Sequence, residues 1–448
     1  MRLIASFILF LPIYSAAQQN SWWASYGDPE LSRLVEKALS GNVDLAAASA
    51  RIAQARAIAG IDRSRLAPEI GFTGSAQRLR GGFAQNIIRI PQSSSQQPSG
   101  AFVAPFETGL FQGGLDMKWE LDIFGRNRLG LSAARAEWHA AELTREDLFI
   151  TIAAEVARNY FQLRGIEEQL QITRKNVKAQ TDLLHLTEVR RDAGLATQLD
   201  VERQQLLLAN TEVSLPLLEA DLAAAKCRLA VLLNDNDPAN FQVAASASNL
   251  NVPGTGTTIP SELLKRRPDI RSSEARLAAA QFRVRQARTD LFPKVNLNGL
   301  VGRQGTALNN ISFGGGNFFS IGPQVQLPVF NAKRIRSQIE GEQARLAEAE
   351  ASYRKEVLEA LEESATALTN FLRQREREAK LQQASASANA SLALTEDLFR
   401  AGATDFLAVL DTQRNVYETD LNRSLARTQV LVESVAVYKA LAGSWPQP

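Results

Sequence analysis

The sequence is written twice, and that duplication limits the folds open to it more than any other feature. Asp44-Leu45, Ala50-Arg51-Ile52, Leu66 and Pro68 fall on Asp269-Ile270, Ala275-Arg276-Leu277, Leu291 and Pro293 without a gap, and Ile70 and Phe72 then meet Val295 and Leu297. Further along, Leu186-Thr187-Glu188, Ala193-Gly194, Leu199, Val201 and Gln205 fall on Leu394-Thr395-Glu396, Ala401-Gly402, Leu407, Val409 and Gln413. Between these blocks Leu121 to Arg128 (LDIFGRNR) matches Leu327 to Arg334 (LPVFNAKR). The offset changes from block to block, which puts insertions and deletions in loops. Chance likeness among Ala- and Leu-rich helices is the poorer account, because the collinear blocks differ in composition. Each half, 18–245 and 246–448, then reads helix, strand, strand, long helix, turn, long helix.

The strands carry the sharpest physical signal. From Leu115 to Ile123, apolar Leu115, Met117, Trp119, Leu121 and Ile123 alternate with Asp116, Lys118, Glu120 and Asp122, the period of two that gives a strand one greasy and one polar face. Phe319, Ile321, Val325, Leu327 and Val329 repeat the pattern, with Pro323 and Pro328 expected to interrupt the ladder. Val295, Leu297 and Val301 mark a third strand, and Ile70 to Arg80 a weaker fourth. Alternation alone is met equally by a sheet lying on a soluble core and by a lipid-facing barrel. Four strands cannot close a transmembrane barrel, whose smallest examples have about eight. A barrel therefore requires an oligomer, and three copies would supply about twelve strands. Gly81 to Phe111 then reads as a long external loop and Arg303 to Asn317 as a shorter one.

The helical spans are too long for an ordinary globular domain. Asn127 to Arg191 holds no proline, and at the α-helical rise such a span is on the order of 100 Å; Lys333 to Arg400 is its counterpart. Beyond Gly194, Val201, Leu208, Leu215, Leu218, Leu222, Leu229 and Leu232 recur as in a coiled-coil seam, with a kink expected at Pro216.

Composition narrows the function. Arg2, an apolar run from Leu3 to Tyr14 and small Ser15-Ala16-Ala17 read as a secretory signal over 1–17. No later stretch has the roughly 18 uninterrupted apolar residues of a membrane-spanning helix, so any span must be β. Cys227 is the only cysteine and His139 and His185 the only histidines, which leaves little from which to build a disulfide, a zinc site or a histidine triad. The formal charge of +2 is spread over interspersed acids and bases, not gathered into the basic patch of a nucleic-acid binder. With no Walker pattern, the chain has no means of driving transport itself. Neither catalysis nor a cofactor is expected.

Three segments carry a family resemblance: Trp119 to Arg126 (WELDIFGR), Arg266 to Leu297 (RRPDIRSSEARLAAAQFRVRQARTDLFPKVNL) and Leu215 to Leu233 (LPLLEADLAAAKCRLAVLL). They resemble TolC-type outer-membrane factors, in particular the NodT/OprM-like branch that partners resistance-nodulation-division pumps, and the likeness runs from Trp22 to Trp445. It implies an α+β membrane protein: a trimeric outer-membrane β-barrel with four strands from each chain, continuing into a long periplasmic α-helical coiled-coil barrel. It implies a passive efflux channel whose partners are an adaptor, an inner-membrane pump and outer-membrane lipid. The turns at Asp192 to Leu199 and Arg400 to Leu407 would be the periplasmic tips, with Arg191, Gly194, Leu199, Arg400, Gly402 and Leu407 meeting the adaptor. Matching the tips residue by residue puts Asp200 and Asp411 where the family carries gate aspartates, with Asp405 nearby. The chain departs from some relatives in having Thr404 two residues after the tip glycine. It also lacks a cysteine directly after the signal, so lipidation is not expected. The competing reading is a periplasmic coiled-coil scaffold without channel activity.

Overall fold

The computed structural model describes residues 21–81, 106–244, 252, 265–305, 316–330 and 332–443. The signal-like residues 1–17, the loop interiors 82–105 and 306–315, the boundary between the two halves at 245/246, and Trp445 lie outside the described residues. The chain is mostly helical, with one four-stranded sheet. Two compact units are formed, one from the described residues within Met1–Ile52, His139–Glu274 and Ala351–Pro448, the other from Ala53–Trp138 and Ala275–Glu350. Each unit draws on both halves of the sequence.

In the first unit, Asp28 caps helix α1 (Pro29–Gly41): its carboxylate accepts from the Glu30 N–H at 2.8 Å, and Pro29 takes the first helical position, where no amide proton is needed. Leu31, Leu34, Val35 and Ala38 then fall on one face and are buried. Just before the helix, Trp22, Trp23 and Tyr26 pack into the core with Phe161 and Tyr438; the Trp22 and Tyr438 rings stack at 4.9 Å. The Tyr26 hydroxyl meets Ser434 Oγ at 2.6 Å, and in the same core the Tyr160 hydroxyl donates to buried Asp28 at 2.5 Å. The N-terminal segment thereby straps α3 (Arg126–Asp192) to α8 (Phe406–Ala440). Gly165 permits those two helices to touch: a Cβ there would lie 2.2 Å from Thr428 Oγ1.

Helices α3 and α7 (Ala332–Arg400) run for 67 and 69 residues. After α3 the chain turns into α4 (Gln198–Glu212) and α5 (Ser214–Leu232). The break falls at Val213, three residues ahead of the kink expected at Pro216. Proline offers no N–H to the carbonyl four residues back, which is Glu212, the last residue of α4. The expected seam is real but mixed. Val201 and Leu229 are buried and its other leucines half-buried, and the same heptad phase holds buried Gln204 and Thr211. The RRPD segment opens α6 (Pro268–Thr289). Buried Arg267 donates to Asp269 at 2.6 Å, to Glu363 at 2.7 Å and to the Ala440 carbonyl at 2.9 Å, tying three helices at one point.

The second unit carries the sheet: β1 (Glu69–Gly81), β2 (Phe106–Leu121), β3 (Lys294–Gly305) and β4 (Gly316–Gln326), in that order and antiparallel throughout, with α2 (Val43–Ser64) leading into it. The loop expectations need correction, since Phe106–Phe111 already belong to β2, paired as far as Gly81↔Phe106, and Arg303–Gly305 and Gly316–Asn317 belong to β3 and β4. The glycine-containing start of β2 has no apolar alternation to reveal it and is held by its ladder partners. Nor does β2 reach Ile123. It ends at Leu121 because Asp122 turns away to accept the N–H groups of Asn127 and Arg128, capping α3. β4 likewise ends at Gln326, short of Pro328, whereas Pro323 sits inside β4, paired with Leu297 on a strand with one free edge.

Candidate functional site: a bare sheet face and two helix tips

Register fixes which side chains share a face. Phe72, Leu115, Val301 and Phe319 form one row across the sheet, and Ile70, Met117, Gly299 and Ile321 the next. On this face Phe72 is 76% exposed and Phe319 82%, so the described residues leave a continuous apolar surface uncovered. Soluble monomers rarely do so. The opposite face is polar: Thr73 donates to Asp116 at 2.5 Å, Gln112 to Gln304 at 3.1 Å and Asn298 to Gln324 at 2.8 Å. Among the described residues, no helix is long and apolar enough to cross a membrane.

The two helix turns are built alike. At the first, Gly194 takes φ +75°, its N–H bonds the Arg191 carbonyl at 2.8 Å, and Leu195 N–H reaches the Arg190 carbonyl at 2.8 Å. At the second, Gly402 takes φ +71°, its N–H bonds Phe399 O at 3.0 Å, and Ala403 N–H reaches Leu398 O at 2.8 Å. Both glycines accept the left-handed conformation that ends a helix, as the sequence predicted. The helices that follow start on different caps. Thr197 and Asp200 form a reciprocal box at the start of α4, in which Asp200 Oδ2 accepts from the Thr197 N–H at 2.9 Å and hydroxyl at 2.7 Å. At the second tip Asp405 caps α8, accepting from the Ala408 N–H at 3.0 Å.

The predicted gate residues are thus already placed in part by local needs. The Thr197 bonds hold the Asp200 carboxyl below the usual carboxylate range. Asp405 is a cap, Thr404 is half-buried just before it, and Asp411 is exposed on α8. Among the described residues no hydrogen bond or ion pair joins Asp200, Asp405 and Asp411. Of the predicted adaptor-contact residues, Leu199 and Leu407 are exposed. Arg191 is held by Asp192 at 2.7 Å and Gln198 at 3.3 Å, and Arg400 by Asp397 at 3.1 Å.

Sequence reasoning missed the contact that joins the tips, the guanidinium of Arg190 over the Phe399 ring, with Phe399 leaning on Phe406. It also missed exposed Leu195 and the buried polar groups behind the first tip, where Gln204 donates to the Gln180 carbonyl at 2.9 Å and Thr187 is buried on the same helix, α3, as Gln180. The heptad phase could have pointed to Gln204, whereas nothing local pairs Arg190 with Phe399.

An apolar sheet face with no cover, joined in one chain to two long helical hairpins, defines a class in which strands meet lipid and helices stand in water. The profile of the family described as outer membrane efflux protein matches residues 34–235 and 259–443, and the chain belongs to that family. It is 34% identical over 435 residues to the pyoverdine export outer membrane protein OpmQ of Pseudomonas aeruginosa, covering 96% of this chain and 88% of the relative. It is 28% identical to the toluene efflux pump outer membrane protein TtgF of Pseudomonas putida, covering 97% and 87%. The outer-membrane channel OprN superposes with a TM-score of 0.84 at 34% identity, over 96% of this chain and 93% of that one. The outer membrane protein VceC of Vibrio cholerae, at 24% identity and a TM-score of 0.83, shares the fold. The protein is therefore an outer-membrane component of an efflux system, with its helical part in the periplasm.

Proposed function

We propose that three copies close one barrel of about twelve strands and that the assembly conducts small solutes passively from the periplasm to the exterior. The observation that carries this reading is the sheet, whose apolar face is exposed and whose outer edges, on β1 and β4, have no strand beside them among the described residues. Lipid suits the face, and edges of this kind are satisfied in a membrane only by closure. The scaffold reading leaves that face without an occupant. The two similar hairpins support an origin of the 18–245 and 246–448 halves by duplication, and a tube lined by paired hairpins follows from repeating them around an axis.

The tips, with Leu199, Leu407, Arg191, Arg400 and the glycine turns at Gly194 and Gly402, are the surface for a periplasmic adaptor, and an inner-membrane pump of the resistance-nodulation-division type supplies the energy. Asp200 and Asp411, each repeated about the axis, would gather carboxylates at the closed end, where like charges favour cations and oppose one another's ionisation. Asp405 and Thr404 border them. Relatives are named for pyoverdine and toluene, so small organic compounds are the first cargo to test, ahead of metal ions. The deciding experiment is the molar mass of protein extracted in mild detergent, corrected for bound detergent, together with conductance in a planar bilayer. A mass of three chains and discrete channel openings support the proposal, and a non-conducting single chain refutes it.

A further inference from the structure

The two strand-to-helix junctions, LDIFGRNR from Leu121 to Arg128 and LPVFNAKR from Leu327 to Arg334, set Arg128 against Arg334 and Asp122 against Pro328. At the first junction Asp122 is the hub. Its carboxylate accepts from the Asn127 N–H at 2.9 Å, the Arg128 N–H at 2.9 Å and Arg128 Nε at 3.1 Å, and the same guanidinium donates to the Asp122 carbonyl at 2.9 Å. One anion therefore serves both the start of α3 and the cation in its first turn. At the second junction the cation is kept and the carboxylate is replaced by proline. Among the described residues, no carboxylate or carbonyl bonds Arg334.

A cleft of about 550 Å³ lies there, lined by Arg334, Pro328, Lys294, Arg126, Asp290 and Gln338 among others. Arg126 Nε and Lys294 Nζ both contact Asp290 Oδ1, at 2.9 and 3.1 Å, so the one carboxylate in the named lining is taken by two of its cations and Arg334 is left over. Phe330, also lining the cleft, is 97% exposed. We infer that this cleft is an anion site, which takes a phosphate or carboxylate group of another molecule where the first junction uses Asp122. The Arg334 guanidinium presents the planar fork that such groups accept in two parallel bonds. The Gln338 amide can donate to a remaining oxygen, and Lys294 and Arg126 add charge. The volume exceeds what one phosphate needs, and the bare ring of Phe330 suits an anion that carries an acyl or aryl portion. Two sources share this chemistry, a phospholipid headgroup and a soluble phosphate or carboxylate compound.

The test uses full-length protein in a non-ionic detergent. Thermal unfolding is followed against sodium phosphate, with sodium chloride at equal ionic strength as control, and in micelles doped with phosphatidylglycerol or phosphatidylcholine. Phosphate or phosphatidylglycerol should raise Tm in the wild type. Arg334→Gln should weaken that response at least about tenfold, the scale of losing a charge-assisted hydrogen bond. Pro328→Asp, which restores the carboxylate, should be insensitive to both anions. Arg336→Gln, on the same helical turn but outside the cleft, should respond like the wild type. A response to phosphatidylglycerol alone identifies a headgroup, and one to phosphate as well identifies a soluble anion; both uphold the site. No response to either anion, or responses in Arg334→Gln and Pro328→Asp equal to the wild type, overturns it. Conductance of the same preparations separates the two readings, since open channels without an anion response remove the site and leave the channel.

Discussion

Arg190 holds its guanidinium 4.5 Å from the centre of the Phe399 ring, and that ring meets Phe406 at 5.7 Å across the second turn. One clasp thus joins the end of α3 to both arms of the other hairpin. A cation over an aromatic face contributes about 1 kcal/mol when partly shielded from water, a modest hold. Phe399→Ala is expected to speed proteolytic nicking near Gly194 and Gly402 and to raise single-channel conductance. Unchanged cleavage and conductance would show that the tips are held elsewhere.

Asp200 has a local duty as half of a capping box, and any role in ion selection has to be separated from it. Thr197→Ala removes the cap and keeps the charge, at a cost of about 1 kcal/mol, whereas Asp200→Asn removes the charge. Cation preference in a bilayer should fall in the second variant and persist in the first. The cap itself depends on pH in a fixed direction. Because the folded carboxyl sits below its unfolded value, its stabilisation is complete above the ordinary carboxylate range and is lost as pH falls through the folded value.

Asp147 behaves in the opposite sense. Burial, and then the nearby charge of Asp269, push its carboxyl up to about 6, against the pull of Lys439 and Arg267. Between the ordinary value and about 6 the folded state binds more protons than the unfolded one, so stability is highest below that window and falls as pH rises through it. After allowance for solvent screening the change is about 1–2 kcal/mol. Melting temperatures at pH 5 and pH 7.5 should differ more in the wild type than in Asp147→Asn; equal differences would exclude Asp147 as the source.

Arg267 is a buried cation bonded to three helices. Its removal would take the guanidinium from Asp269 and from the Ala440 carbonyl, and would leave Glu363 with the Lys439 ammonium at 3.4 Å. Breaking a buried pair of this kind costs about 3–5 kcal/mol. Arg267→Ala should therefore give little folded protein in the membrane fraction, and yields near wild type would contradict the assignment.

Much of this architecture is written in local pattern. Alternation from Leu115 to Leu121 gave β2 its face, the long proline-free runs gave α3 and α7, and Gly194 and Gly402 marked the turns. What escaped depends on partners distant in sequence or on a change of role within a pattern. The glycine-containing start of β2 is a strand because β1 is beside it. Asp122 looks like one more polar residue in an alternating run, yet it ends that run by capping a helix. The aspartates near the tips stand out in the sequence, but the capping duties of Asp200 and Asp405 do not, although Thr197 three residues before Asp200 is the available sign.

The free edges of β1 and β4 also dictate an order of events in biogenesis. A sheet that entered lipid with those edges bare would carry unpaired amide and carbonyl groups into a phase with no water, each costing several kcal/mol. In the proposed trimer, insertion and edge pairing are therefore one step and not two. On that proposal, a surplus chain that never meets its pairing partner has no resting place in the bilayer. Left in the aqueous space, it presents a template for indiscriminate strand addition, so the cell must either hold such chains soluble or degrade them.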